Sequence, residues 1–231
     1  MVIDYGKIIF GDVDSSDYGI YISGEGVYNA PERVVEFIEV PGRNGSIAMD
    51  QGRYENISIT YPAMYLGKDQ EEFREKLSDF RNAILSQKGY QRLEDSYHPD
   101  EYRMGVYASG LEVTKVFRKM RGGEFELTFN CKPQRYLISG DTVQTLTASG
   151  TITNPTAFAS APLLRIYGTG SATVNGVTLT ISAADTYTDI DCELMEAYKG
   201  SVSRNSFLSL SGVDFPVLSP GENTITLGSG I

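Results

Sequence analysis

Tryptophan is absent from this chain of 231 residues, histidine occurs once and cysteine twice. Without Trp, the chain lacks the strongest flat platform for stacking a sugar or a base. The two thiols, Cys131 and Cys192, are too few and too far apart for a disulfide framework, so both read as buried and reduced. A single histidine, His98, leaves no His/Cys cluster with metal-ligand spacing, and neither a metal nor a cofactor is expected. No window reaches the ~18–20 apolar residues of a membrane helix. The start, Met1 to Lys7, has no basic stretch followed by an apolar block, so no signal peptide is expected. A soluble chain made in a cytoplasm follows as the expectation. Basic residues are scarce beside acidic ones, 20 against 30, for a formal net charge of -10. Such a surface repels phosphates and disfavours a nucleic-acid reader, but it suits a pore that lets DNA slide past.

Charge is also unevenly distributed. Residues 1–137 hold 17 of the Lys and Arg and 22 of the Asp and Glu, whereas 138–231 hold only 3 and 8. The second stretch is rich in Ser, Thr, Gly and β-branched residues. This step predicts two domains, 1–137 and 138–231, joined just after Cys131-Lys132-Pro133.

One segment has helical periodicity. Phe73, Leu77, Phe80 and Ile84 fall on one face of a helix predicted from about Asp69 to Gln87. Asp69 and Glu72 supply an Asp-x-x-Glu cap and Gly89 a stop. The remaining pattern is of strands. In the first domain these are Tyr18–Ile22, Arg33–Val40, Asn56–Tyr61 and Glu124–Cys131. Pro41-Gly42-Arg43-Asn44-Gly45 ends the second of them, with Asn44-Gly45 as the hairpin signal. Gly122-Gly123 suggests another hairpin, with Lys115, Arg118, Lys119 and Arg121 at its wet tip. In the second domain, strands are expected at Leu163–Tyr167, Ala172–Val174, Val177–Ile181, Thr188–Leu194, Phe207–Leu210 and Thr224–Leu227. Asn175-Gly176 there is a strong two-residue turn. The fold class is therefore mainly β: an α+β first domain with one covering helix, then a β-sandwich.

Candidate chemistry is sparse. His98 lies in a polar loop, Asp95 to Glu101, with no nucleophile arranged around it. Asp189 and Asp191 share a strand face, as paired acids of a glycosidase or a calcium site would. The simpler reading is a solvated face, with Ile190, Cys192 and Leu194 packed inward. Gly168-Thr169-Gly170 resembles the start of a dinucleotide loop, but no helix follows to hold a pyrophosphate, which leaves a tight turn. No catalytic set emerges, and the chain reads as a binding or assembly protein.

A series of signatures stands in fixed order: Val40-Pro41-Gly42-Arg43-Asn44-Gly45, the single helix, Phe129-Asn130-Cys131-Lys132-Pro133, Asn154-Pro155, Ser160 to Gly168, Ile190-Asp191-Cys192-Glu193, Phe215-Pro216 and Pro220 to Ile225. Together they resemble the distal tail protein (Dit) family of long-tailed, non-contractile bacteriophages and their prophages. The resemblance covers almost the whole chain. It implies an N-terminal ring-forming domain with a protruding hairpin and a galectin-like C-terminal β-sandwich. It also implies a hexameric ring at the tail tip, between the tail-tube protein and the tail-associated fibre or lysin protein, near the tape measure protein. DNA would pass through the ring without specific binding. The length leaves no room for an inserted saccharide-binding module, so a minimal, non-enzymatic hub is expected. Pro41, Gly42, Arg43, Asn44 and Gly45 are then the candidate assembly residues. Two rival readings are a carbohydrate-binding module or adhesin, resting on the sandwich, and a hydrolase using Asp189 and Asp191.

Overall fold

The computed structural model describes residues 5–23, 27–117 and 122–231. The chain divides into two compact units, Met1–Val143 and Gln144–Ile231. That division lies beyond the compositional step at residue 137. Tyr136–Leu137 pairs with the strand Glu101–Val106, Ile138 N–H donates to Asp100 O at 2.9 Å, and Asp141 accepts from Arg92 and Tyr102. Side-chain charge thins out before the first unit's backbone bonding ends.

Unit 1 contains β1 (Ile8–Phe10), β2 (Val13–Asp14), β3 (Ile20–Ile22), β4 (Arg33–Ile38), β5 (Ile47–Tyr54), β6 (Ile57–Leu66), α1 (Gln70–Ser86), β7 (Gln91–Asp95), β8 (Glu101–Val106), β9 (Val113–Phe117), β10 (Gly122–Cys131) and β11 (Tyr136–Leu137). Nine strands form one sheet in the order β2-β1-β7-β8-β10-β6-β3, with β11 on β8 and β9 on β10. Its spine is the ten-residue antiparallel pairing of β6 with β10. Along both strands alternate residues are buried: Ile57, Ile59, Tyr61, Ala63 and Tyr65 on one, Phe125, Leu127, Phe129 and Cys131 on the other. This period-two pattern puts one face in the core. Strand β6 runs on through Pro62. The Pro62 carbonyl accepts from Ser23 N–H, so the missing N–H of the proline falls at the end of β3 and not in the β10 ladder.

Helix α1 closes that face with Phe73, Leu77, Phe80 and Ile84, all buried. The Asp69 carboxylate caps it, accepting from Glu71 N–H at 3.0 Å and Glu72 N–H at 2.9 Å. The Glu72 carboxylate reaches back to Lys68 N–H at 2.7 Å. Two sequence expectations change. Tyr18 belongs to a 3-10 turn, Ser15–Tyr18, which Gly19 ends in the left-handed conformation at φ 69°. Gly122 and Gly123 lie within β10, paired to β9. A Cβ on Gly123 would sit 2.9 Å from Phe73 Cζ, so this glycine makes room for the helix. Of the expected basic tip, Lys115 is in β9; Arg118, Lys119 and Arg121 lie outside the described residues.

Unit 2 contains β12 (Gly150–Asn154), β13 (Leu163–Tyr167), β14 (Gly170–Val174), β15 (Val177–Ile181), β16 (Tyr187–Asp191), β17 (Glu196–Lys199), β18 (Val202–Ser203), β19 (Leu208–Leu210) and β20 (Gly221–Leu227). They form a five-stranded sheet, β12-β20-β14-β15-β19, and a four-stranded sheet, β13-β16-β17-β18. Leu179, Ile181 and Ala172 of the first pack with Ile166, Ile190 and Ala197 of the second, which makes a sandwich. Asn175-Gly176 joins β14 to β15 with both residues at positive φ, 48° and 88°, the geometry of a type I′ turn. Gly168 and Gly170 serve neither helix nor phosphate. A Cβ on Gly168 would fall 2.1 Å from Gly230 O; the glycines let the C-terminal segment cross close by.

Candidate functional site

Among the described residues, strands β4 and β5 pair only with each other, as a two-stranded ribbon separate from the nine-stranded sheet. Partners across the ribbon are Val35 with Asp50, Glu36 with Met49, Phe37 with Ala48 and Ile38 with Ile47. Alternation therefore puts Phe37 on one face and Ile38, Ile47 and Met49 on the other. Phe37 is 69% exposed and Met49 51%, and every residue of β5 is exposed. An Arg33–Asp50 ion pair at 2.5 Å and the Glu55 N–H bond to Glu32 O at 2.8 Å fasten the ribbon near its base.

The ribbon tip carries Pro41, Gly42, Arg43, Asn44 and Gly45, all exposed. Arg43 N–H donates to Val40 O at 3.1 Å, and Gly42 has φ 79°. Proline then positive-φ glycine inside an i→i+3 bond is a type II turn. The tight turn is thus Pro41-Gly42, not the expected Asn44-Gly45; Gly45, at φ 78°, shapes the return to β5. A Cβ on Gly42 or Gly45 meets no described atom within 4 Å, so only backbone conformation demands glycine there.

The other sequence candidates hold structural positions. His98 follows β7 in a turn, and its Nδ1 lies 3.0 Å from Asp95 Oδ1. Asp189 is buried and binds Arg165 through both oxygens, at 2.6 and 2.8 Å. This bond holds the Arg165 guanidinium above its ordinary pKa. Asp191 caps a turn, accepting from Glu193 N–H at 3.0 Å and Leu194 N–H at 2.9 Å. The expected solvated face is therefore corrected. Strand β16 stops at Asp191 because its side chain takes up the amides of Glu193 and Leu194, and Leu194 is 66% exposed instead of packed inward. The acid pair is spoken for by an arginine and a turn. The Tyr187 ring is covered by the Arg165 guanidinium at 4.2 Å, which takes away a stacking platform. Burial pushes the Cys131 thiol up to about 11 and the Cys192 thiol up to about 12, as inert structural thiols. Among the described residues, no three His, Cys, Asp or Glu side chains gather as metal ligands, and no helix is long and apolar enough to cross a membrane.

Among the described residues, a nine-stranded sheet with a covering helix, a two-stranded ribbon and a sandwich define a β-rich chain of two units. The chain belongs to the phage tail proteins with a RIFT-related domain, whose family model matches residues 13–131. Over its whole length the fold is that of the phage SPP1 Dit protein (gp 19.1), described as a paradigm of the hub adsorption apparatus in phages infecting Gram-positive bacteria. The match has a TM-score of 0.72 at 15% identity, over 98% of this chain and 96% of that one. The phage P2 baseplate, in its activated conformation with Ca, contains a similar chain: TM-score 0.53, 12% identity, over 98% of this chain and 99% of that one. No curated protein matches the sequence.

The exposed Phe37, Ile38, Ile47 and Met49 were missed by sequence reasoning. An apolar, β-branched run such as Arg33–Val40 reads as a buried strand; it is the lack of a third strand beside it among the described residues that shows otherwise.

Proposed function

We propose that this chain is a structural hub of a phage tail tip, acting by self-assembly and carrying out no reaction. The observation that supports it best is the SPP1 Dit fold running through both units, in a chain of a phage tail family. Unit 1 forms the ring, six copies closing by head-to-tail contacts of one kind. The ribbon is the joining arm. A lone two-stranded ribbon is marginal in water, and one with apolar side chains on both faces gains by lying against a neighbouring copy. Pro41, Gly42, Arg43, Asn44 and Gly45 set how far and at what angle the arm projects. Unit 2, as a galectin-like sandwich, is carried by the ring. The tail-tube protein stands on one side of the ring, the fibre or lysin protein on the other, with the tape measure protein adjoining. The net charge of -10 lets DNA leave through the lumen without adhering. Virions are then where the chain resides, after assembly in the host cytoplasm. Immunogold labelling of tails with antibody to this chain tests the placement. Label confined to the distal tip is expected; label along the tube or at the head overturns it.

A further inference from the structure

A polar cluster beneath the unit 1 core is used by none of this. The Asp95 carboxylate, at the end of β7, accepts the Tyr61 phenol at 2.8 Å and the backbone N–H groups of Tyr97 and His98, each at 2.9 Å. It also meets His98 Nδ1 at 3.0 Å. An ionised carboxylate only accepts, so Nδ1 carries a ring proton, and in the singly protonated tautomer Nε2 is the accepting nitrogen. Across the β7–β8 pairing sits Arg103, opposite Leu93 and only 8% exposed. Burial and the nearby charge of Arg135 lower its pKa from the ordinary value.

His98 Nε2 and Arg103 Nη1 are both buried, and neither has a hydrogen-bond partner among the described residues. Both residues line the same small cavity, together with Asp95, Glu101 and Arg135. Its room for a water centre is about 10 Å³, and one buried water needs about 10–15 Å³ on that measure. Two carboxylates oppose two guanidiniums around it, so no net charge selects an ion. One orphaned atom is an acceptor and the other a donor, the pair of roles that a water fills at once and a halide cannot.

We propose that this cavity is a binding site for one structural water, which accepts from Arg103 Nη1, donates to His98 Nε2 and has the Glu101 carboxylate as a further partner. The bound water fixes the imidazole that packs edge-on against Tyr28, ring centroids 5.5 Å apart, on the segment leading into the ribbon. The site stands whether or not the chain forms a ring.

Two measurements on the full chain test it. A high-resolution crystal structure should show a density peak within hydrogen-bond distance of both nitrogens. Oxygen-17 relaxation dispersion should count one fewer long-lived water in Arg103→Met and in His98→Phe than in the parent. Should Arg103→Met fail to fold, His98→Phe, which keeps a ring against Tyr28, gives the count alone. A direct His98–Arg103 hydrogen bond, an unchanged water count, or a bromide peak in the cavity after a halide soak overturns the proposal.

Discussion

At the scale of single residues, the acid pair and the two thiols are poor candidates for chemistry, because each is taken up by its surroundings. Asp189 is clamped by Arg165, Asp191 by two amides, and both thiols are buried. Raised thiol pKa values make a pH prediction. The ordinary value is 9.0, and the folded values are about 11 and about 12. A pKa raised on folding adds stability that is fully present below the unfolded value and is lost as pH rises through the folded one. Resistance to urea should therefore decline from about pH 9 upward, and less steeply in a Cys131→Ala, Cys192→Ala variant than in the parent; equal slopes would contradict this. At pH 8 fewer than about one thiol in a hundred is ionised. Ellman's reagent should thus titrate neither cysteine in the native chain and both in guanidinium. Gly123→Val tests a different residue. Its side chain would press on Phe73, 2.9 Å from the Cβ position, and overpacking of this kind costs about 1–3 kcal/mol, read as a lower urea midpoint for unit 1.

At the scale of elements, what was legible in the sequence depended on whether local chemistry decides the structure. Helix α1 could be placed to within a residue, because Phe73, Leu77, Phe80 and Ile84 repeat at helical spacing and Asp69 caps the start. Asp69→Ala should cost about 1 kcal/mol, seen by urea unfolding followed at the helix signal. The Asn175-Gly176 turn was legible for the same reason. Short strands such as β1, β2 and β18 were not, since two or three residues carry no period. The ribbon was half legible. Its strand and its break at Pro41–Gly45 show in the sequence, but the exposure of Phe37 and Met49 depends on what the rest of the chain does not place beside them. Replacing both Gly42 and Gly45 by Val forces β-branched residues to φ near 79° and 78°. That substitution should misdirect the ribbon and abolish ring formation while the circular dichroism of unit 2 is unchanged. Normal rings from this variant would show that the tip does not govern assembly.

At the scale of the whole molecule, composition and fold both divide the chain into two units. The charged first unit carries the helix, the long β6–β10 pairing and the unpartnered ribbon; the Ser/Thr-rich second unit is a closed sandwich. The compositional step came close to the division but fell short of it, because Ile138 and Asp141 still bond back into unit 1 although the charged stretch has ended. The candidate site was legible only as a turn, since an exposed apolar surface is defined by what the fold leaves uncovered and a single sequence does not display that. Mass measurement by light scattering, on the purified chain alone and mixed with matching tail proteins, tests the central claim most directly. A closed ring of six times the 25.4 kDa chain mass is the expected result, and a monomer at high concentration under both conditions would contradict the account.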